Sequence, residues 1–398
     1  MKDKKYDICI VGGLGHIGLP LGISFAAAGK KVILYDINKE SLKTVSKGKM
    51  PFLETGAEEV LKEVIDKTLF LSHEKSAISN AYFVVVVIGT PVDKHLNPDF
   101  TVFIKFFDGI LDSINKSQHI LLRSTVLPGT TEKIKSYLES KGKNVRLSFC
   151  PERIAEGKAM EELHTLPQII SAFDEDSFEE AKELFSCLTN EIVFLNPKEA
   201  ELAKLFTNVW RYIQFATANQ FYQIATQQGL DFYRIYSAII QNYPRAQNFP
   251  AAGLAAGPCL FKDTMQLASF SNNSFFLGHA AMLINEGLPN FIVERLRTRH
   301  NLRNKTVGIL GMAFKANSDD KRESLSYKLK KILEVEAKKV LCTDVYISEK
   351  GFVSANELVK QSDIIILAAP HKEYKGLRIG KSKHLVDMWN FYGSGGQI

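Results

Sequence analysis

The stretch Gly253-Leu-Ala-Ala-Gly-Pro-Cys259-Leu-Phe-Lys262-Asp263-Thr264 sets one thiol in a run of small residues, with a cation three positions on and a carboxylate four. Small residues let a backbone pass close to a ligand, and a neighbouring lysine favours the thiolate, the form that attacks electrophilic carbon. Cys259 is therefore a candidate nucleophile; the competing reading is a small buried hydrophobe beside a turn. A second set lies near the start. Gly13-Leu-Gly15-His16-Ile17-Gly18 follows the apolar run 6–12 at once and leads into the helical run 19–28. In that context the first glycine allows a tight turn, the second lets the backbone reach a pyrophosphate, and the third lets helix pack on strand. The next strand, 31–35, ends in Asp36, eighteen positions beyond Gly18. A carboxylate there accepts the ribose hydroxyls of adenosine and repels a 2′-phosphate, so NAD is expected rather than NADP.

These groups need elements to position them. After Asp36 the pattern alternates: a helix over 38–47, a loop over 50–56, a helix to 66, and strands at 68–71, 82–88, 119–122 and 145–149. That predicts a doubly wound parallel sheet, in which ligands sit outside the carboxyl ends of the strands. Three strand ends carry unusual loops: Gly89-Thr90-Pro91-Val-Asp93, Ser124-Thr125-Val-Leu-Pro-Gly, and Cys150-Pro-Glu152-Arg153-Ile-Ala-Glu156-Gly. All three are expected to face the nicotinamide, against the plain alternative of ordinary turns.

Residues 197–230 read as one long helix on which Glu199, Lys204, Asn208 and Arg211 share or adjoin a face. Lys204 and Asn208, one turn apart, could point together at a substrate oxygen; they could equally belong to a solvated face. The region from there to 299 lacks strand patterning and reads as a helical middle part. A second strand-and-glycine start at 305–311, with further strands at 339–342, 364–368 and 384–388, predicts a smaller Rossmann-like sheet without G-x-G-x-x-G. Its Lys315 and Arg322 are cations suited to phosphate. The tail 393–398 is expected to be disordered. The fold class is α/β: two Rossmann-like doubly wound domains, 1–195 and 301–398, joined by a long central helix and a helical middle domain, 196–300.

Composition narrows the partners. The chain has 398 residues, 45% hydrophobic and 24% charged, with a net charge of +6 and no Lys/Arg tract of the kind that tracks nucleic acid. Five scattered cysteines form neither a disulfide framework nor a zinc pattern, which suits a reducing cytoplasm and implies no metal site. No apolar segment reaches 18 residues and the start lacks a signal-peptide pattern, so neither a membrane partner nor export is expected.

The motifs together resemble the UDP-glucose/GDP-mannose dehydrogenase family, over nearly the whole chain. They are Gly13-Leu-Gly-His-Ile-Gly-Leu-Pro20, Gly89-Thr-Pro91, Ser124-Thr-Val-Leu-Pro-Gly129, Pro151-Glu-Arg153, Glu201-Leu-Ala-Lys-Leu-Phe-Thr-Asn208, Gly257-Pro-Cys-Leu-Phe-Lys-Asp263, and Gly311-Met-Ala-Phe-Lys315 through Asp320-Lys-Arg-Glu-Ser324. The resemblance implies an NAD domain, a UDP-sugar domain and a long helix that also forms a dimer interface. It implies two hydride transfers to NAD that take a sugar C6 alcohol to a carboxylate, a supply of surface-polysaccharide precursors, and a homodimer or larger homo-oligomer. Cys259 resembles the nucleophile that holds the aldehyde as a thiohemiacetal, then a thioester. Lys204 and Asn208 would stabilise the oxyanion; Thr125, Glu152, Glu156 and Asp263 would position and activate water, with Glu152 the first choice of base. By the same resemblance Gly257, Arg153 and Lys315 meet the nucleotide-sugar, Thr90 and Pro91 the cofactor, and Arg322 the NAD pyrophosphate.

The chain also departs from the family pattern. Ala255 and Ala256 stand where glycines are usual, and Phe261 where proline is common. Arg245 is the nearest match to an arginine that reaches the partner subunit's substrate, at a shifted spacing. Pro151-Glu-Arg153 resembles the branch that oxidises N-acetylhexosamine nucleotides, whereas Gly-Pro-Cys-Leu does not match that branch, so UDP-glucose and a UDP-N-acetylhexosamine both stay open. A two-electron dehydrogenase of the 3-hydroxyacid type and an inactive nucleotide-sugar sensor are the alternatives.

Overall fold

A computed structural model describes residues 4–89, 100–254, 257–396 and 398. Thr90, Pro91, Ala255 and Ala256 lie outside the described residues. The chain divides into two compact units, Met1–Thr207 and Asn208–Ile398.

The first unit is built on an eight-stranded sheet: β1 (Tyr6–Val11), β2 (Val32–Tyr35), β3 (Leu69–Ser72), β4 (Ala81–Val86), β5 (His119–Leu122), β6 (Arg146–Phe149), β7 (Gln168–Ala172) and β8 (Ile192–Leu195). The strand order is β3-β2-β1-β4-β5-β6-β7-β8. All neighbours are parallel except β6 and β7, which run antiparallel. Both faces of the sheet are covered, which is why its strands are apolar at successive positions instead of alternating with polar ones. Ile8 and Ile10 pack on one face with Leu34, Val85 and Leu121. Cys9 and Val11 pack on the other with Ile33, Val84, Val86 and Ile120. The chain reverses direction across the sheet between β1 and β4, and a doubly wound sheet opens a ligand crevice at that point.

Strands β7 and β8 escaped the sequence reading. Both are short runs of four or five residues, and β8 lies at the edge with Val193 and Phe194 exposed. The other strands and the long helix, Pro197–Gln227, fall within a few residues of expectation.

The second unit carries a four-stranded parallel sheet, β9 (Thr306–Leu310), β10 (Lys339–Thr343), β11 (Ile364–Leu367) and β12 (His384–Val386), in the order β10-β9-β11-β12. Its core also takes in the helix Phe276–Arg299 through Leu288, Ile292 and Leu296. The C-terminal end corrects the expectation of a disordered tail. Ile398 is 1% exposed, the Arg299 guanidinium donates to its carbonyl, and the Tyr222 hydroxyl donates to the Gly396 carbonyl at 2.6 Å. Buried Ile398 and donors from Tyr222, which is buried, and Arg299, which is exposed, hold it down, a combination that a glycine-rich sequence conceals. Among the described residues, no helix is long and apolar enough to cross a membrane.

Candidate active site

The glycine-rich loop leaves β1 through Gly12, whose φ of +75° is a left-handed conformation that favours glycine. A Cβ there would also stand 2.1 Å from the Val87 carbonyl oxygen. The tight turn therefore falls to Gly12 and not, as the motif suggests, to Gly13. Gly13 is needed for closeness: its Cβ would lie 2.8 Å from the Leu34 Cβ on β2. Gly15 faces open space, with only the Gly12 oxygen within 4 Å at 3.7 Å, so this is where a ligand could approach the backbone. Gly18 sits against Gly12 and Gly13, letting the helix Gly18–Ala27 meet the strand end. Ile17 is the N-cap of that helix, and His16 stacks on Phe52 with ring centres 4.0 Å apart.

Asp36, half-buried at the end of β2, accepts the Leu14 amide on Oδ2 and the Asn38 amide on Oδ1, both at 3.0 Å. Each oxygen keeps acceptor capacity for a ribose hydroxyl. The open Gly15 and the half-buried carboxylate fit a dinucleotide.

The next strand ends are fastened by distant side chains. The Ser124 hydroxyl donates to the Ile88 carbonyl at 2.7 Å and accepts the Ile88 amide at 2.9 Å, tying the chain after β4 to the chain after β5; half-buried Thr125 follows. The helix Thr130–Ser140 begins after Gly129 with no side-chain cap of its own. Its open amides are met by Glu201 from the long helix, which accepts the Thr131 amide at 2.7 Å, the Thr131 hydroxyl at 2.6 Å and the Gly129 amide. Burial pushes the Glu201 carboxyl up, while those three donors act in the other direction.

Glu54, from the 50–56 loop, similarly accepts the Gly157 and Ala159 amides at 2.8 and 2.7 Å, closing the end of the 150–157 loop. At the start of that loop Glu152 is buried and bound to Arg123. The Arg153 guanidinium donates to the Pro167 carbonyl, and Glu156 is half-buried.

The long helix separates its four polar residues. Lys204 and Asn208 are buried at 9% and 6% exposure, whereas Glu199 and Arg211 are exposed. Asn208 donates from Nδ2 to Asp263 Oδ2 at 2.6 Å, and Lys262 Nζ stands 3.0 Å from the other oxygen. Asp263 is fully buried, so it holds the Asn208 amide in one orientation.

Cys259 is the N-cap residue of the helix Leu260–Phe270 and is exposed. A helix N-terminus carries partial positive charge and favours an anion such as a thiolate. Burial pushes the other thiols up, Cys150 to about 12 and Cys342 to about 11, with Cys9 and Cys187 moved the same way. Exposure thus singles out one sulfur of five.

Gly253 and Gly257, before Cys259, are also required by packing. A Cβ on Gly253 would lie 2.1 Å from the Trp389 ring, and one on Gly257 2.7 Å from the Phe314 ring. They make room for aromatic side chains of the C-terminal sheet region, and Gly257 also has φ +114°. Asn219 secures the loop by accepting the Gly253 amide at 2.9 Å, and Asn285 accepts from Asn219 Nδ2 at 2.9 Å.

The family models described as UDP-glucose/GDP-mannose dehydrogenase match in three consecutive pieces: the NAD binding domain over 6–189, the central domain over 198–286 and the UDP binding domain over 308–394. The chain belongs to the UDP-glucose/GDP-mannose dehydrogenase family. It is 30% identical to the UDP-N-acetyl-D-mannosamine dehydrogenase of Methanocaldococcus jannaschii, over 92% of this chain and 86% of that one. It is also 30% identical to the enzyme of the same name from Pyrococcus horikoshii, over 93% and 91%. Among solved structures, the UDP-D-ManNAc dehydrogenase of Pyrococcus horikoshii matches with a TM-score of 0.89 at 29% identity, covering 97% of this chain and 96% of that one. A UDP-glucose dehydrogenase from Pyrobaculum islandicum matches with a TM-score of 0.87 at 25% identity, covering 96% and 94%. NAD is the cofactor, and the protein is an NAD-dependent oxidoreductase.

In this dehydrogenase the second sheet repeats the first one's acid at a strand end, but closes it off. Asp344, after β10, accepts the Met312 and Ala313 amides at 2.6 and 3.0 Å, the Tyr346 and Ile347 amides at 2.8 and 3.0 Å, and a bond from the His371 ring at 3.0 Å. It has no face left for a ribose. Lys315 is half-buried over the Phe314 ring, Arg322 is exposed and chelated by Asp320, and Arg245 is exposed beside Tyr243 in the turn Pro244–Ala246.

The sequence reading missed the roles of Glu54, Arg123 and Glu201. Only the uncapped Gly129-Thr-Thr helix start signalled a need for a distant acceptor.

The Asp36 geometry gives a first expectation. The catalytic efficiency with NAD should exceed that with NADP by about 100-fold, and Asp36→Ala should shrink that gap at least about tenfold, because the 2′-phosphate no longer meets a carboxylate. Equal efficiencies in the parent protein would remove Asp36 from the ribose site.

Proposed function

We propose that this protein oxidises the C6 alcohol of a UDP-linked sugar to the carboxylate, a four-electron reaction in which one alcohol, two NAD and one water give one uronate, two NADH and three protons. The observation that carries the reading is the one exposed thiol, Cys259, at the start of the helix whose buried Asp263 braces Asn208. A two-electron oxidation has no use for such a sulfur.

Bound NAD supplies the hydride acceptor for both oxidations. The Cys259 thiolate adds to the aldehyde carbon, and the resulting thiohemiacetal still bears a carbon-bound hydrogen that can leave as hydride. A thioester results. Water then cleaves its carbon–sulfur bond, releasing the carboxylate and the thiol. Lys204 and Asn208 donate to the oxygen on which negative charge develops in each addition. The hydrolytic water is assigned to the loops bearing Thr125, Glu152 and Glu156.

Arg153, Gly257, Lys315 and Arg245 are assigned to the nucleotide-sugar, and Arg322 to the cofactor pyrophosphate. Residues 1–195 act as the NAD domain, 196–300 as the central domain and 301–398 as the UDP-sugar domain. The relatives' names and Pro151-Glu-Arg153 favour a UDP-N-acetylhexosamine over UDP-glucose. The long helix also exposes Phe206, Trp210, Phe221 and Ile224, residues spaced to form one stripe, which supports a homodimer built on that helix. A cytoplasmic enzyme that feeds surface-polysaccharide synthesis suits such a product.

The test is a panel of UDP- and GDP-sugars with NAD, read by NADH yield and product mass. Two NADH per sugar and a uronate are expected, with a UDP-N-acetylhexosamine turned over fastest. One NADH with a stable aldehyde or ketone would overturn the four-electron mechanism.

A further inference from the structure

The carboxylate of Asp344 and the ring of His371 form a buried pair joined to the loop that carries Lys315. Both side chains are 0% exposed, with His371 Nε2 3.0 Å from Asp344 Oδ2. The Asn317 amide reaches His371 Nδ1 at 2.9 Å. A backbone amide can only donate, so Nδ1 is the acceptor and Nε2 carries the hydrogen that goes to Asp344.

The pair holds that loop at both ends. At its start Asp344 Oδ2 accepts the Met312 and Ala313 amides at 2.6 and 3.0 Å. At its far end His371 takes the Asn317 amide, and the Lys372 amide donates to Asn317 Oδ1 at 3.0 Å. Asn317 has a left-handed φ of +52°, a conformation that costs energy outside glycine and that these two bonds keep in place. Burial pushes the Asp344 carboxyl up, but the His371 bond and the amides outweigh it and hold the group below the usual carboxylate range. Phe314 and Lys315 lie between the two fastenings. Gly257, two residues before Cys259, is so near the Phe314 ring that an added Cβ would stand 2.7 Å from it. The fastened loop therefore lies against the segment that bears the exposed thiol.

We infer that Asp344 and His371 are positioning residues for the nucleotide-sugar: they act through the 312–317 loop to hold Lys315 where the ligand meets it, and the His371–Asn317 bond is the link on which this depends. The inference rests on the assignment of Lys315 to the nucleotide-sugar made above.

The experiment compares the full-length protein with His371→Phe, His371→Asn, His371→Gln, Lys315→Met and the double variant His371→Phe/Lys315→Met. The probe is the UDP-sugar that the parent turns over fastest, its binding measured calorimetrically without NAD. Lys315→Met should weaken that binding about tenfold or more, the loss of a charge-assisted hydrogen bond. His371→Phe keeps a ring and removes both nitrogens, and should weaken binding about tenfold. The double variant should bind no more weakly than Lys315→Met, since His371 acts through that cation; general damage to the C-terminal sheet region would add to the loss instead.

The two amide variants separate the two bonds of the ring. His371→Asn places an amide oxygen near the Nδ1 position and keeps an acceptor for Asn317, so it should bind within about threefold of the parent. His371→Gln reaches Asp344 instead, which four backbone amides already serve, and should behave like His371→Phe. Hydrogen exchange over 312–317 should rise in His371→Phe and His371→Gln and stay at the parent level in His371→Asn and Lys315→Met.

Parent-like binding by His371→Phe, or a double variant about tenfold weaker than Lys315→Met, would overturn the inference and leave Lys315 in its assigned role. If His371→Phe does not fold, His371→Asn against His371→Gln decides alone, and equal affinities overturn it. A Lys315→Met that binds as the parent does would defeat the assignment of Lys315, and the inference with it. A parent that oxidises no nucleotide-sugar would defeat the proposed function; the same series is then read with UDP alone as the probe, and the same comparisons decide the roles of His371 and Lys315.

Discussion

Cys259→Ser is expected to bind NAD and nucleotide-sugar as the parent does while its turnover falls about 1000-fold or more, the scale on which enzymes lose rate when a nucleophile is removed. Shape hardly changes, since a hydroxyl replaces a thiol at an exposed N-cap position. The chemistry changes a great deal. A serine hydroxyl has no readily formed anion, and an oxygen ester is a poorer acyl intermediate than a thioester. No other sulfur can stand in. Cys9, Cys150 and Cys342 are buried with their thiols pushed up, and Cys187 is partly buried and moved the same way. Iodoacetamide should therefore label Cys259 first, bound nucleotide-sugar should slow that labelling, and peptide mass spectrometry would read both. A fully active Cys259→Ser, or preferential labelling of another cysteine, would end the covalent mechanism.

Lys204→Ala should lower kcat by about 100- to 1000-fold with little change in KM, the usual result of deleting a donor aimed at charge that exists only in the transition state. Asn208 should account for the activity that remains, because its bond to fully buried Asp263 survives the change. Lys204→Met, which keeps the stem and removes the charge, should behave like Lys204→Ala; that result would separate the ammonium group from side-chain packing. A kcat within about threefold of the parent would remove Lys204 from oxyanion stabilisation. A large rise in KM at constant kcat would make it a ground-state binding residue instead.

Some of this architecture is legible in short stretches of chain because its causes are short in range. The strand, glycine loop, helix and acid of residues 6–36 depend on neighbours in sequence, and so do the apolar runs of the second sheet and the helical periodicity after Pro197. Cys259, Lys204, Asn208 and Asp263 could be named from their types and spacing. Their chemical states could not. Whether a thiol is exposed, or a carboxylate faces an amide or a water, depends on what packs against it, and those partners lie far off in the chain.

Glu201 meets Thr131 across 70 positions, Glu54 meets Gly157 across 103, and Arg123 meets Glu152 across 29. The glycines show the same division. Their presence near Cys259 and after β1 is plain in the sequence, yet Gly253 and Gly257 make room for Trp389 and Phe314, and the turn after β1 belongs to Gly12. The sequence by itself determined most strands of the two sheets, the NAD cofactor and the side chains proposed here for the chemistry. Only the tertiary structure decided which thiol meets solvent and which glutamate is tied down, because burial and hydrogen-bond partnership are properties of contacts between distant segments, and local periodicity carries no record of them.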